Sequence, residues 1–165
     1  FTLEMIKVSN RIIGVNTHRA NRIVEHALNN KLINEFKLIK SIKAEFKYSQ
    51  DTRFDFLCDN KILEVKNVTL LRDNKIAEFP DAVTSRGSKH LKMLINSMKK
   101  GYKPYVLFLT QIQNINEFKI AKDIDANYYK DYIEAKKAGV NFLAYRCYLS
   151  SKEIKIEKKI KILNE

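Results

Sequence analysis

Residues 53–66 read Arg53-Phe54-Asp55-Phe56-Leu57-Cys58-Asp59-Asn60-Lys61-Ile62-Leu63-Glu64-Val65-Lys66. Apolar and polar side chains alternate on both sides of the central Asp-Asn pair, which is typical of two short β-strands joined by a tight turn. On the first strand, one face is predicted to carry Phe54, Phe56 and Cys58. On the second strand, Leu63 and Val65 are predicted to oppose Ile62, Glu64 and Lys66.

A two-residue loop fixes the register of such a hairpin. It places Cys58 opposite Lys61 and therefore Asp55 opposite Glu64, with β-carbons about 4.5–5.5 Å apart. Two carboxylates this close repel each other unless a cation lies between them, and Mg²⁺ prefers carboxylate oxygen and water as ligands. Lys66 projects from the same face as Glu64, and an ammonium group beside a cation site suits the hydrolysis of a phosphodiester.

The same residues are compatible with an ordinary surface hairpin. Asp, Glu and Lys are common on such hairpins, and a cross-strand lysine can neutralise the acids without a metal ion. A three-residue turn would also shift the register by one and remove the facing pair. From the residues alone, both interpretations stay open.

Composition and charge indicate one compact domain with a polyanionic partner. The chain has 165 residues, of which 45% are hydrophobic, enough for a sizeable core. Lys and Arg number 31 against 19 for Asp and Glu, which gives a net charge of +12. A charge this high on a small domain favours nucleic acid as the partner. The alternative is a compositional bias, because Ile, Asn and Lys are all abundant.

The cysteines and apolar runs indicate the compartment. Cys58 and Cys147 have no nearby Cys or His at metal-ligand spacing, so we expect no zinc site. Both fit small core residues of a reducing compartment, and no secretory signal is visible, so we expect a cytoplasmic protein. The longest apolar run, Tyr105 to Leu109, is far too short to cross a bilayer, and we expect no membrane partner. The oligomeric state is not indicated.

Periodicity predicts the order of helices and strands around the hairpin. Strands are expected at 3–8, 11–15, 42–48, 105–109 and 141–149, and helices at 19–30, 82–100 and 126–138. Segment 67–78 is predicted to end a strand and then leave the sheet through a turn at Arg72-Asp73-Asn74, while the tail from 150 to 165 fits a strand or a helix. This order predicts an α/β fold with one mixed central sheet and helices on both faces.

Several short motifs follow one another in the chain: Gly14-Val15-Asn16-Thr17-His18, Asn21-Arg22, Arg53-Phe54-Asp55-Phe56, Glu64-Val65-Lys66-Asn67-Val68-Thr69-Leu70, Phe79-Pro80-Asp81-Ala82-Val83-Thr84, Arg86-Gly87, Lys89-His90-Leu91 and Ala144-Tyr145-Arg146-Cys147. Together they resemble the sugar fermentation stimulation protein A (SfsA) family. The resemblance implies a restriction-endonuclease-like core of the PD-(D/E)XK type over residues 14–165. Residues 1–13 would then be a linker or the remnant of a missing N-terminal OB-fold domain.

The resemblance also implies a site and an activity. The family is described as DNA-binding and linked to sugar-utilisation genes, and its core implies Mg²⁺- or Mn²⁺-dependent cleavage of DNA. Asp55, Glu64 and Lys66 match its catalytic residues. The metal ligands would be Asp55, Glu64, the carbonyl of Val65 and Glu25, although Glu25 could equally lie on a solvated helix face. Glu45 is a lesser candidate, for which an exposed strand is the better interpretation.

Four side chains are candidates for binding nucleic acid: Arg53, Arg86, Lys89 and His90. Arg53 could hold a phosphate or only screen the acids, and the other three could clamp phosphates or form a solvated basic helix face. Asp81 and Thr84 are expected to serve the start of that helix. Two alternatives stay open: a non-enzymatic DNA-binding regulator on a nuclease-like scaffold, and RNA as the substrate.

Overall fold

The computed structural model of the protein describes residues 3–8, 10–16, 18–73 and 75–163. In chain order its elements are β1 (Met5–Val8), β2 (Arg11–Gly14), α1 (Arg19–Asn29), a 3-10 turn (Asn34–Phe36), β3 (Ile42–Lys47), β4 (Arg53–Cys58), β5 (Lys61–Val68), β6 (Leu70–Asp73), β7 (Ile76–Phe79), α2 (Ser85–Met98), β8 (Lys103–Thr110), β9 (Glu117–Ile120), α3 (Ala126–Ala138), β10 (Asn141–Leu149), β11 (Ile154–Lys159) and β12 (Lys161–Ile162).

The main sheet is mixed and has six strands in the order β11-β10-β8-β5-β4-β3. Strands β5, β8 and β10 run parallel to one another, and β3, β4 and β11 are joined antiparallel at the two edges. The apolar run predicted as a central strand lies in β8, where Val106 to Leu109 are fully buried between β5 and β10. A strand covered on both faces loses its alternation of polar and apolar residues, which explains the continuous run.

Helices cover both faces of this sheet, as predicted. On one face α1 buries the stripe formed by Ala20, Ile23, Val24, Ala27 and Leu28. On the other face α2 and α3 contribute the buried side chains Leu91, Leu94, Tyr128, Tyr132 and Ala135. These two apolar layers fix the position of the sheet relative to the helices.

A second sheet of four strands, in the order β12-β9-β7-β6, was not predicted. The segment 67–78 leaves the main sheet and forms β6 and β7, although Asn74 of the predicted turn lies outside the described residues. The tail forms the strands β11 and β12. Strand β9 pairs with β7 and β12, which lie far away in sequence, so short-range periodicity carries little signal for it.

The hairpin of β1 and β2 is attached to the main body by backbone hydrogen bonds. Gly14 donates its N–H to the carbonyl of Gln111 at 2.8 Å, and Gln113 donates to the carbonyl of Ile12 at 3.1 Å. Met5 and Ile12 pack against the core layer under α1. That residues 1–13 are a linker or the remnant of another domain stays a prediction.

Helix α2 begins at Ser85, three residues later than predicted. The hydroxyl of Thr84 accepts a hydrogen bond from the Gly87 N–H at 3.1 Å, so Thr84 is the N-cap. Asp81 instead accepts a hydrogen bond from the hydroxyl of Thr69 at 3.0 Å. Within the described part of the chain, no helix has the length and hydrophobicity needed to cross a membrane.

The β4–β5 hairpin has the predicted register, with Cys58 opposite Lys61 and Phe56 opposite Leu63. Its first face is not as predicted, because Phe56 and Cys58 pack under α1 while Phe54 belongs to the layer under α2. The neighbouring strand β3 has a left-handed residue in its middle, Glu45 with φ +52°. Such a residue interrupts regular pleating, and the side chains on either side of the interruption face different layers.

Candidate active site

A cavity of about 270 Å³ lies where β4 separates from β5. The pairing of the two strands ends at Phe56 and Leu63, one residue before Asp55 and Glu64 would face each other. Asp55, Glu64 and Lys66 all line this cavity. The structure therefore brings together the three residues predicted to be catalytic, in the opening between the strands rather than as a paired rung of the ladder.

Asp55 is fixed by two hydrogen bonds and carries a perturbed pKa. Its Oδ2 accepts from the backbone N–H of Val65 and its Oδ1 accepts from Nδ2 of Asn21 in α1, both at 2.7 Å. Burial, with the negative charge of Glu64 second, raises the pKa of Asp55 from its ordinary 3.8 to about 6. The hydrogen bonds from Val65 and Asn21 and the positive charge of Lys66 favour the ionised carboxylate, but they do not cancel this rise.

Glu64 is buried, and its two carboxylate oxygens differ in their contacts with the described residues. Its Oε1 accepts from Lys66 Nζ at 2.7 Å and lies 2.5 Å from Nδ1 of His90 in α2. Burial alone would raise the pKa of Glu64, but the His90 hydrogen bond and the Lys66 charge outweigh it and hold the pKa below its ordinary value. Among the described residues, Oε2 has no hydrogen-bond partner although it is buried.

A second orphaned group lies near this carboxylate. The hydroxyl of Tyr128 in α3 is buried without a hydrogen-bond partner among the described residues. Burial and the charge of Glu64 both raise the pKa of Tyr128. Neither Tyr128 nor Asn21 was predicted to serve the site. Asn21 stood in a quoted motif on the predicted helix, whereas nothing in the local pattern distinguishes Tyr128 from a core aromatic residue.

Glu25 is not brought to the site. It is exposed on α1 and does not line the cavity, while Asn21, one helical turn earlier, contacts Asp55. The helical position that reaches the acids therefore carries an amide instead of a third carboxylate. In the described parts of the chain, no three His, Cys, Asp or Glu side chains are grouped closely enough to hold a metal ion by themselves.

The residues present nevertheless fit a hard divalent cation that keeps part of its water. Mg²⁺ is commonly held by one or two carboxylates together with water and substrate phosphate, and it does not require an all-protein cage. Asp55 and Glu64 supply two carboxylates, and Val65 lines the same cavity. The free Oε2 of Glu64 is a buried oxygen for which a cation would provide the missing partner.

The four predicted nucleic-acid-binding residues lie around the cavity in different ways. Arg53 and Arg86 line it and are exposed to solvent. Lys89 does not line it but lines two other cavities, one on each side of α2. His90 was predicted to clamp phosphate or to lie on a solvated basic helix face, but it is buried. Because an ionised carboxylate only accepts hydrogen bonds, Nδ1 of His90 carries the proton that is donated to Glu64.

Glu45 also lines the cavity that holds Asp55 and Glu64, which we call the acid cavity. Its side chain is largely in solvent. Its carboxylate lies 3.4 Å from Nη1 of Arg53, an exposed ion pair that contributes little to stability. The positive φ of Glu45 is a conformation that non-glycine residues adopt at a cost. Glu45 is therefore an exposed strand residue, as expected, and its positive φ is the one feature that the sequence did not predict.

Comparisons with known proteins agree on one family. A family model described as the sugar fermentation stimulation protein RE domain matches residues 18–153. The chain is 62% identical to a sugar fermentation stimulation protein homolog of Pelagibacter ubique (strain HTCC1062) over 168 residues, covering 99% of this chain and 72% of that protein. A homolog from Brucella anthropi is 37% identical over 166 residues, with 98% of this chain and 72% of that protein covered. The structure of Pyrococcus furiosus SfsA in complex with Ca²⁺ is similar with a TM-score of 0.87 and 25% identity, over 98% of this chain and 71% of that one.

Proposed function

This chain belongs to the SfsA family of sugar fermentation stimulation proteins, and on that premise we propose that it binds DNA and hydrolyses phosphodiester bonds with a divalent cation. The observation that carries the proposal is the pair of carboxylates at one cavity, of which the buried Glu64 has one oxygen with no hydrogen-bond partner among the described residues. A site that only binds a polyanion has no use for two acids facing its ligand, because they repel phosphate.

The cation would be Mg²⁺ or Mn²⁺, held by Asp55, Glu64 and the carbonyl of Val65. The homologous protein of Pyrococcus furiosus forms a complex with Ca²⁺, another hard cation with oxygen ligands, which supports a cation site in this fold. When bound, a divalent cation activates water as a nucleophile and neutralises charge on the phosphate oxygens.

The side chains of the protein have separate roles in the proposed reaction. Water attacks the phosphorus, the bond to one ester oxygen breaks, and the products end in a phosphate and a hydroxyl group. Lys66, held 2.7 Å from Glu64, stands beside the reacting phosphate and stabilises the charge that develops on it. His90 and Asn21 keep the two carboxylates in place through their hydrogen bonds. Arg53 and Arg86 at the cavity attract the phosphate backbone.

One observation favours a second candidate, the non-enzymatic DNA-binding regulator. Lys66 and His90 already bind one oxygen of Glu64, and among the described residues no three His, Cys, Asp or Glu side chains form a metal-binding group. A site neutralised in this way could persist without a metal. DNA binding would then rest on positive charge, of which the chain carries a net +12. In either case we expect the protein to act in the cytoplasm.

Incubation of the purified protein with labelled nucleic acid separates the candidates. Single-stranded DNA, double-stranded DNA and RNA of one sequence are each combined with Mg²⁺, Mn²⁺ or EDTA and resolved on a denaturing gel. We expect DNA cleavage with either metal and none in EDTA. Glu64→Gln and Lys66→Met should each lower the rate at least about a hundredfold, the range seen when a group that stabilises transition-state charge is removed.

Lys137→Ala is the control, because it removes an exposed lysine in the last turn of α3 and should leave the rate unchanged. No cleavage with any metal, together with unchanged DNA affinity in Lys66→Met, would leave only the regulator. A calorimetric titration with Mn²⁺ tests the ligands directly: wild-type affinity in Asp55→Ala would exclude Asp55 from the metal site.

A further inference from the structure

A second cavity, of about 460 Å³, adjoins the acid cavity. It lies between the first turns of α2 and the turn that joins β3 to β4, which is closed by hydrogen bonds from the N–H groups of Tyr48 and Ser49 to the carbonyl of Thr52. Arg53, Arg86 and His90 line both cavities. A ligand group in the second cavity therefore lies beside the cavity that holds the acids, with these three side chains at the boundary.

The second cavity carries a strong excess of positive charge. Four cationic side chains line it, Lys47, Arg53, Arg86 and Lys89, against one carboxylate, Asp51, so its net charge is +3 with His90 neutral. Lys47, Arg86 and Lys89 form no ion pair with any carboxylate in the described parts of the chain. Like charges gathered at one cavity repel one another, and an anion bound between them removes that repulsion.

The amount of charge distinguishes two kinds of phosphate. Each internal phosphodiester of a nucleic acid carries a single negative charge. A phosphate monoester carries about −1.5 to −2 near pH 7 and offers three acceptor oxygens instead of two. A cavity with a charge of +3 and fork-shaped arginine donors matches the monoester better than the diester. Its volume falls within the range of about 300–1,000 Å³ that is usual for small-ligand sites.

We propose that the cavity lined by Lys47, Arg53, Arg86 and Lys89 binds the terminal phosphate of a nucleic-acid strand and so places the strand end next to the acid cavity. This rests on the proposed function for the identity of the ligand, but it makes a separate claim about strand ends. A strand held in this way presents a phosphodiester close to its end for hydrolysis. Internal sites far from an end lack the contact and react more slowly.

Binding in EDTA tests the claim without any cleavage. One oligonucleotide is prepared with a 5′-phosphate, with a 3′-phosphate and with hydroxyl groups at both ends, labelled internally, and titrated with the full chain while fluorescence anisotropy is recorded. We expect one phosphorylated form to bind about tenfold more tightly than the hydroxyl form, since a charge-assisted contact of this strength changes affinity by about that factor. Inorganic phosphate should compete with that form.

Lys47→Ala should reduce this advantage to less than about threefold, and Lys47→Arg should retain it, because the guanidinium keeps the charge. Lys130→Ala is the matched control: this exposed lysine lines a different cavity, beside α3, and its removal should preserve the tenfold ratio. A preference for the 5′ or the 3′ form supports the proposal and identifies the end that is bound.

Equal affinity for all three oligonucleotides would overturn the proposal. So would a preference for a phosphorylated oligonucleotide that survives both Lys47→Ala and Arg86→Ala. These results are independent of catalysis. A protein that prefers phosphorylated ends but never cleaves DNA would refute the nuclease and keep the end-binding cavity. A protein that cleaves DNA with no end preference would keep the nuclease and refute the end-binding cavity.

Discussion

The Oδ2 atom of Asp55 accepts a 2.7 Å hydrogen bond from the backbone N–H of Val65. In a continued hairpin of this register, the N–H of Val65 would pair with the backbone carbonyl of Phe54. The carboxylate thus takes the place of a ladder partner, and β4 separates from β5 at this point. One side chain therefore ends the strand pairing and provides an acidic wall of the cavity that the separation creates.

Stability should depend on the ionisation of Asp55. Its pKa is raised to about 6, so between about pH 4 and 6 the folded protein holds a proton that the unfolded chain has lost. In EDTA the contribution of this group to the free energy of unfolding should fall as pH rises through that window, by up to about 3 kcal/mol. Urea unfolding of the wild type and Asp55→Asn at several pH values measures the difference.

The variant curve should be flatter over this window, and Glu153→Gln, which changes an exposed acid, should follow the wild type. Parallel curves for the wild type and Asp55→Asn would show that the carboxyl group titrates normally in the folded protein.

Glu64 and His90 should be strongly coupled. His90→Ala removes a 2.5 Å contact from a buried carboxylate that keeps its contact with Lys66, and the loss of a hydrogen bond to a charged group costs about 1.5–3 kcal/mol. In the background of Glu64→Gln the same substitution should cost less, which gives a coupling energy of about 1–3 kcal/mol in a double-mutant cycle. Chemical denaturation of the four proteins provides the measurement. The exposed pair Glu153 and Lys155 serves as a control, with an expected coupling below about 0.5 kcal/mol.

Glu45 should tolerate glycine better than alanine. At most strand positions glycine is the less stable of the two, but at φ +52° the alanine β-carbon is strained and glycine is not. We expect Glu45→Gly to be more stable than Glu45→Ala by about 1 kcal/mol in urea unfolding. The same pair of substitutions at Lys43, an exposed residue of β3 without a positive φ, should give the opposite order. If the alanine variant were more stable than the glycine variant at both positions, strain at Glu45 would be excluded.

Arg86 and Lys89 should contribute to DNA affinity through charge. Each is exposed beside the cavities and has no ion-pair partner in the described parts of the chain. Arg86→Ala and Lys89→Ala should each lower the slope of log affinity against log salt concentration by about 1. Anisotropy titrations of double-stranded DNA over a series of salt concentrations measure it. Lys137→Ala should leave the slope as it is, and an unchanged slope in both test variants would exclude direct phosphate contacts.

Short-range patterns were sufficient for the elements that carry the site. Alternation and the Asp59-Asn60 loop predicted the hairpin and its register, and the apolar stripe predicted α1. Asp55, Glu64 and Lys66 were identified because the predicted register placed them together, and the structure brings them to one cavity although the pairing ends one residue earlier. The second sheet escaped prediction because β9 has its partners far away in sequence, and Glu25 was assigned to the site although helix position alone does not fix how far its side chain lies from β4.

By itself, the sequence determined which residues alternate, where the hairpin turns and how much positive charge the chain carries, because these depend on neighbours within a few positions. Only the tertiary structure decided that Asn21 supports Asp55, that His90 is buried against Glu64, and that Phe54 faces the layer under α2. These features depend on how α1 and α2 pack on opposite faces of the sheet. The distance between side chains on separate elements is set by that packing and not by the order of residues along the chain.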